Sequence, residues 1–477
     1  MNKENLASEI RENYPFTPTS GQKTAIGMLS AFVSAIGGKR VFLLKGYAGT
    51  GKTTLVGALV RTLRRHHVSV SLLAPTGRAA KVFSNYSGAE ACTIHKKIYR
   101  QKSIIDSSSF QLDRNLHEDT LFIVDEASMI PNQGLTGSMF GSGRLLDDLI
   151  RYVFGGKNCS LLLMGDDAQL PPVGETESPA LSSRVLAGYG LDVSEYCLDS
   201  VVRQMQESGI LYNATELRKF AVNPLMAGGF RFRTDGFRDV TRISGGELIE
   251  KLSLCYSRDG MDETMVLCRS NKRAIIYNNG IRNTILDRED ELTRGDSVMI
   301  VKNNYYWIEK LIAGGEIDSY QRFPSFIANG DIAVIRRIRR LRELYGFRFG
   351  DAVLSFPDYD DLEVEVTLLL DTLHSESPSL THEESDRLFN RVMEDYSDIP
   401  SGKERMKKMR ENPYFNAVQV KYAYAVTCHK AQGGQWTNIF IDQGFVPEDG
   451  RDEEYYRWLY TALTRATGSV YLVNWPE

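Results

Sequence analysis

The chain has 477 residues, 42% apolar and 25% charged, enough for roughly two to four ordinary domains with substantial cores. With 57 basic and 61 acidic residues the net charge is -4, which excludes a uniformly basic surface but not a local basic track for a polyanion. No stretch is long and apolar enough to span a bilayer, and the opening residues MNKENLASEIRENYPF carry no apolar run of the signal-sequence kind. The six cysteines stand at wide, irregular gaps without a CxxC pair, which argues against a zinc site or a disulfide framework. The expectation is a cytoplasmic protein with free thiols and no membrane partner.

In chain order, Val41–Leu44 is a short β-rich run, and Thr53 to Arg65 follows with helical spacing through Leu55, Val56, Leu59, Val60 and Leu63. Between them, Gly46-Tyr-Ala-Gly49-Thr-Gly51-Lys52-Thr53 fits the phosphate-loop pattern GxxxxGK followed by Ser or Thr, in the strand–loop–helix setting that the pattern requires. Glycines let backbone N–H groups converge on phosphates, and the helix N-terminus adds its positive dipole end. Gly46, Tyr47, Ala48, Gly49, Thr50, Gly51, Lys52, Thr53 and Thr54 are therefore the candidate ATP contacts. Lys52 is expected to reach the β- and γ-phosphates, and the Thr53 hydroxyl to ligate Mg²⁺.

Val68–Leu73, Leu121–Val124 and Leu161–Met164 read as further buried strands, each ending in a polar or glycine-rich cluster. That alternation predicts a parallel α/β sheet with ligands at the carboxyl ends of its strands. Between the first two of these runs, Lys102–Leu116 reads as two short strands around Asp106–Ser109, either a small hairpin or a surface loop. After Leu121–Val124 come Asp125 and Glu126: the first is assigned to the metal, the second to orienting and deprotonating the attacking water. After Leu161–Met164 comes GDDAQLPPVG, in which Gln169 is placed to sense the γ-phosphate. Arg203 in VVRQ and Arg465 in YTALTRA are candidate cations for the charge that develops in phosphoryl transfer.

From Arg294 to Leu370 the grammar changes. GDSVMIV, GDIAVIRRI, DAVLSFP and DLEVEVTLLL are closely spaced strands without helices, which predicts a small antiparallel barrel. Asp371–Asp398 is then acidic and Lys403–Arg410 basic, read as solvated helices with no assigned role. The α/β grammar resumes near Val420, so the barrel is expected as an insertion in a second α/β unit.

The ordered motifs GYAGTGKTT, APTGRAA, TIH at Thr93–His95, VDEAS, GDDAQLPPVG, VVRQ, TCHKAQGGQW and YTALTRA resemble those of superfamily 1 DNA helicases, in the branch of RecD-like, Dda-like and Pif-type enzymes. The resemblance spans almost the whole chain. It implies two RecA-like P-loop cores with parallel sheets, a small hairpin insertion that forms a strand-separating pin, and an SH3-like β-barrel insertion. The corresponding boundaries are 1–84 and 117–200 for the first core and 85–116 for the small insertion. Residues 201–293 and 420–477 form the second core, and 294–419 the barrel with the charged segment. The resemblance also implies that Gln22 contacts adenine and that Arg203 and Arg465 act as arginine fingers. Single-stranded DNA would be held by Pro75, Thr76 and Arg78, by Thr93 and His95, and by Thr427, His429 and Lys430. These are residue types that grip phosphates without reading sequence. Phe83 and Trp436 are read as buried aromatics rather than base-stacking ones. Gln435 departs from the pattern, since the family commonly has Glu there, against the nucleotide sugar.

The expected activity is an ATP- and Mg²⁺-dependent motor, monomeric, moving 5′-to-3′ on single-stranded DNA and unwinding duplex at junctions. Two alternatives stay open: a translocase subunit of a nuclease complex without unwinding of its own, and a nucleotide-dependent nucleic-acid-binding switch.

Overall fold

The computed structural model describes residues 3–35, 38–101, 110–134, 141–200, 207–222, 229–314, 326–447 and 450–475. The chain forms two compact units: the first comprises 1–241, 431–435 and 445–470, the second 242–430, 436–444 and 471–477.

The first unit is built on strands β1 (Arg40–Gly46), β2 (Val70–Ala74), β3 (Ala91–Thr93), β6 (Leu121–Val124), β7 (Ser160–Gly165) and β8 (Asp192–Leu198), with the pair β4 (Tyr99–Gln101) and β5 (Phe110–Leu112) outside that sheet. The six strands run parallel in the order β3-β2-β6-β7-β1-β8. The middles of β1, β6 and β7 are continuous apolar runs, as in a parallel sheet covered on both faces. The core joins Phe42, Leu44, Ile123, Leu162 and Met164 of the sheet to Leu55, Val56, Leu59 and Leu63 of the Lys52–Arg65 helix. Phe83 is fully buried in the same core.

The predicted hairpin exists with shifted strands. Tyr99 pairs with Leu112 and Gln101 with Phe110, antiparallel, so the first strand lies before Lys102; the intervening 102–109 fall outside the described residues. The three-residue run YRQ follows directly on a five-residue helix, and this obscured it as a strand.

The other elements are β9 (Val240–Ile243), β10 (Thr264–Cys268), then β11 (Ser297–Ile300), β12 (Ile332–Leu344), β13 (Phe347–Phe356), β14 (Leu362–Leu369) and β15 (Val418–Tyr422), followed by β16 (Ala425–Thr427), β17 (Trp436–Asp442) and β18 (Ala466–Val473). A five-stranded sheet has the order β16-β10-β17-β18-β9, with β10 parallel to both β16 and β17. In this sheet β9 and β18 carry residues of both units. Trp436 is buried at the start of β17.

Strands β11 to β15 close a barrel in the second unit. Alternation along β14 sends Leu362, Val364 and Val366 inward and Glu363 and Glu365 outward, the period-two signature of a strand with one wet face. The barrel has one strand more than the sequence reading counted. Val418–Tyr422 pairs antiparallel with β11 and parallel with β14, so a boundary at 419 falls inside a barrel strand. The run VQVKYAYAV holds both this strand and β16 with only two residues between them, so it reads as one apolar stretch.

The charged segment is not simply solvated. Helices His382–Glu394 and Gly402–Arg410 turn Leu388, Val392 and Met409 onto Phe347, Phe349 and Leu369 of the barrel, forming a separate apolar cluster. Thr381 and Glu384 close a capping box at the first of these helices.

Candidate active site

Strands β6, β7 and β1 are neighbours in the sheet, so the three segments leaving their carboxyl ends converge although 79 positions separate Gly46 from Asp125 (125 − 46). Gly46 ends β1 where a Cβ would lie 2.9 Å from Leu198 Cβ, so any side chain there would collide with β8. Gly51 has φ +81°, and a Cβ on it would meet Gln22 Nε2 at 2.8 Å and the Tyr14 hydroxyl at 3.0 Å. Gly51 is also the N-cap of the Lys52–Arg65 helix and offers no side-chain cap. The first N–H groups of that helix thus point to where an anion would sit. Lys52 Nζ donates to the carbonyls of Gly46 and, at 3.1 Å, Tyr47, which draws the ammonium across the loop.

Asp125 and Glu126 follow β6. Burial, and next the Glu126 charge, push the Asp125 carboxyl up to about 7. Its Oδ1 accepts the Glu126 N–H at 2.8 Å. Glu126 has φ +52°, a left-handed conformation that costs a non-glycine residue energy and turns its side chain toward the cavity. Such a buried carboxylate, lining the same cavity as Thr53, suits a divalent cation, whose charge would favour its ionised form.

A cavity of about 730 Å³, in the size range of ligand sites, is lined by Lys52, Thr53, Asp125, Glu126, Gln169 and Arg465. Gln169 is 6% exposed, and its Oε1 has no hydrogen-bond partner among the described residues. Arg465 is 3% exposed; its Nη1 lies 3.6 Å from Glu126 Oε1 and also donates to Gly434 O at 3.3 Å. Gln435 lines the same cavity, and its carbonyl accepts from Arg78 Nη2 at 2.8 Å. Arg203 lies outside the described residues. Gln22 is buried, with its amide already engaged: Nε2 donates to Thr50 O at 2.9 Å and Oε1 accepts from Thr19 N–H at 2.9 Å. It braces the phosphate loop against the N-terminus of the Ser20–Ser34 helix.

The nucleic-acid candidates divide between the units. Pro75, Thr76 and Arg78 follow β2, and Thr93 ends β3, whose register pairs it with Ala74. Thr76 and Thr93 each cap a helix, accepting from Ala79 N–H and Lys96 N–H at 3.2 Å. Burial pushes His95 down to about 4, so it is a neutral hydrogen-bonding group at pH 7. Thr427 ends β16 and His429 and Lys430 follow it in the second unit, where burial lowers Lys430 to about 8.

Several groups at the site escaped the sequence reading. Tyr14, Phe16 and Tyr86 add aromatic lining to the cavity. Arg218 stacks on the Tyr47 ring, with its guanidinium carbon 3.8 Å from the centroid. The Glu453–Leu463 helix is buried almost throughout and sends Tyr460, Thr461 and Arg457 into the phosphate-loop and Gln169 segments. The motifs GDDAQ and YTALTRA contain most of these partners, but nothing local in either indicates that they meet.

A phosphate loop, a strand-end carboxylate pair and a buried arginine around one cavity define a P-loop nucleotide hydrolase. A family model described as an AAA domain matches residues 20–222, and one described as a UvrD-like helicase C-terminal domain matches 422–473. An uncharacterised protein of Acanthamoeba polyphaga mimivirus is 21% identical over 90% of this chain and 94% of its own length. The ATP-dependent DNA helicase dda of Enterobacteria phage T4 is 26% identical over 59% of this chain and 60% of its own length, less than two thirds of that relative. The structure of a Bacteroides Pif1 helicase with ADP-AlF3 and single-stranded DNA is 15% identical, with TM-score 0.46, over 96% of this chain and 93% of that one. The chain is thus similar to superfamily 1 helicases, to Pif1-, RecD- and Dda-like members among them.

Proposed function

We propose that this chain is an ATP-driven DNA helicase that moves 5′-to-3′ on single-stranded DNA and unwinds the duplex it meets. The observation that carries the reading is the convergence of Lys52, Glu126, Gln169 and Arg465 on one cavity beside a helix N-terminus. A nucleotide switch needs the phosphate loop; a base for water and a buried cation beside it add turnover.

In this reading Lys52 and the first N–H groups of its helix hold the β- and γ-phosphates, and Glu126 takes the proton of the attacking water. Gln169 orients the γ-phosphate, and Arg465, with Arg203, balances the charge that develops on it. Thr53 and Asp125 would hold Mg²⁺, which when bound neutralises phosphate charge. Gln22 contacts adenine. Pro75, Thr76, Arg78, Thr93, His95, Thr427, His429 and Lys430 grip the strand, and the β4–β5 hairpin is the pin. Among the described residues no helix is long and apolar enough to cross a membrane. The six cysteines are all free, which supports a reducing, cytoplasmic setting.

Forked substrates with a single 5′ or 3′ tail, made in DNA and in RNA, test the reading. Strand separation that needs ATP and the 5′ DNA tail is expected. Preference for the 3′ tail would overturn the polarity, and ATP consumption without separation would make the protein a translocase.

A further inference from the structure

The Tyr460 hydroxyl sits between two loops that are far from it in sequence. It accepts the Ala48 N–H of the phosphate loop at 2.9 Å and donates to Asp166 Oδ2 at 2.5 Å. The other carboxylate oxygen of Asp166 accepts the Ala168 N–H at 3.0 Å, and Gln169 N–H closes the turn onto Asp166 O at 3.3 Å. A continuous line of hydrogen bonds thus runs from the phosphate loop through Tyr460 and Asp166 to the backbone that carries Gln169. Tyr460 is 0% exposed and Asp166 1%, so water cannot take the place of the hydroxyl.

The same helix grips the Gln169 segment at two further points. Thr461 Oγ1 accepts Leu170 N–H at 2.9 Å, and Arg457 Nη1 donates to the carbonyls of Asp167 and, at 3.2 Å, Gln169. Two residues beyond its end, Arg465 reaches Glu126. The helix and the turn just after it therefore touch the phosphate loop, the glutamine segment and the proposed water-activating carboxylate.

We infer that Tyr460 is a positioning residue for hydrolysis: its hydroxyl sets the distance between the phosphate loop and Gln169, so that the glutamine meets the γ-phosphate only when the loop and the Glu453–Leu463 helix are in register. This rests on the hydrolytic reading of the cavity. The hydroxyl takes one loop N–H, that of Ala48, and leaves the helix N-terminus and Lys52 free to hold the phosphates. Its loss should therefore leave ATP binding nearly intact and weaken an interaction that matters mainly in the transition state.

The test compares Tyr460→Phe and Asp166→Ala, singly and together, with the unaltered full chain. Steady-state ATPase is measured with saturating single-stranded DNA, binding of a fluorescent ATP analogue is titrated, and thermal unfolding is followed in parallel. Removing a buried hydroxyl from a charged acceptor is expected to lower kcat of Tyr460→Phe by about ten- to a hundredfold, with KM for ATP and analogue affinity within about threefold. The double variant is expected to be no slower than the slower single variant, since both break one line of contacts. An unaltered kcat in Tyr460→Phe, a loss of ATP affinity as large as the loss in kcat, or effects that multiply in the double variant would each overturn the inference. Absence of ATPase in the unaltered chain would instead sink the hydrolytic reading.

Discussion

Arg465 Nη1 lies 3.6 Å from Glu126 Oε1, so the proposed water-activating carboxylate faces a buried guanidinium across the nucleotide cavity. The contact is looser than a charge-assisted hydrogen bond, and Arg465 is held in place by the carbonyls of Gly434 and Thr461 rather than by Glu126. A guanidinium so fixed is preorganised for charge that develops on a transferring phosphoryl group.

Arg465→Ala is accordingly expected to lower kcat for ATP by about 10³-fold or more, the range for an arginine finger. Arg465→Lys should recover little, since an ammonium cannot keep two carbonyls and reach the phosphate together. Steady-state ATPase with single-stranded DNA present reads both.

Glu126→Gln should keep nucleotide binding and lose turnover by about 10²- to 10⁴-fold, the usual worth of a positioned base. Lys52→Ala should lose both, because Lys52 is the cation drawn across the phosphate loop. Analogue binding alongside ATPase separates the two; rapid hydrolysis by Glu126→Gln would remove it from the role of base.

Asp296 is fully buried before β11, and its carboxylate takes hydrogen bonds from Arg282 at 3.0 Å, Arg288 at 2.7 Å and Thr293 N–H at 2.7 Å. Burial by itself would raise its pKa, but these donors outweigh it and hold the carboxyl below the usual range. A folded pKa below the unfolded value of about 3.9 means this stability is fully present above that pH and is lost as pH falls through the folded pKa. Asp296→Ala leaves Arg282 buried without its partner and should cost about 3–5 kcal/mol at neutral pH. Urea unfolding at pH 7 and pH 3 checks this: the gap between unaltered chain and variant should narrow at the lower pH.

Val392→Ala tests whether the charged helices are part of the barrel's fold. Val392 is fully buried among Phe347, Phe349 and Leu388, so the truncation should cost about 1–3 kcal/mol, by lost burial and the cavity left behind. An unchanged urea midpoint would return these helices to the role of a solvated appendage.

The sequence by itself determined the nucleotide site's local parts. Gly46–Thr53 declares itself because the loop's glycines, the lysine and the strand and helix flanking it are contiguous, and Asp125–Glu126 because it ends an unbroken apolar strand. The charged helices, the fifth barrel strand and the place of Tyr460 were decided by tertiary structure. Leu388, Val392 and Met409 lie among charges that mask their common face, and Val418–Tyr422 merges with the next strand in one apolar run. Tyr460 meets Ala48 across 412 positions, and no periodicity spans such a gap. Local propensity and spacing act over a few residues. The loops that Tyr460 joins come together only because strand order puts β7 beside β1 and a buried helix brings the hydroxyl to both.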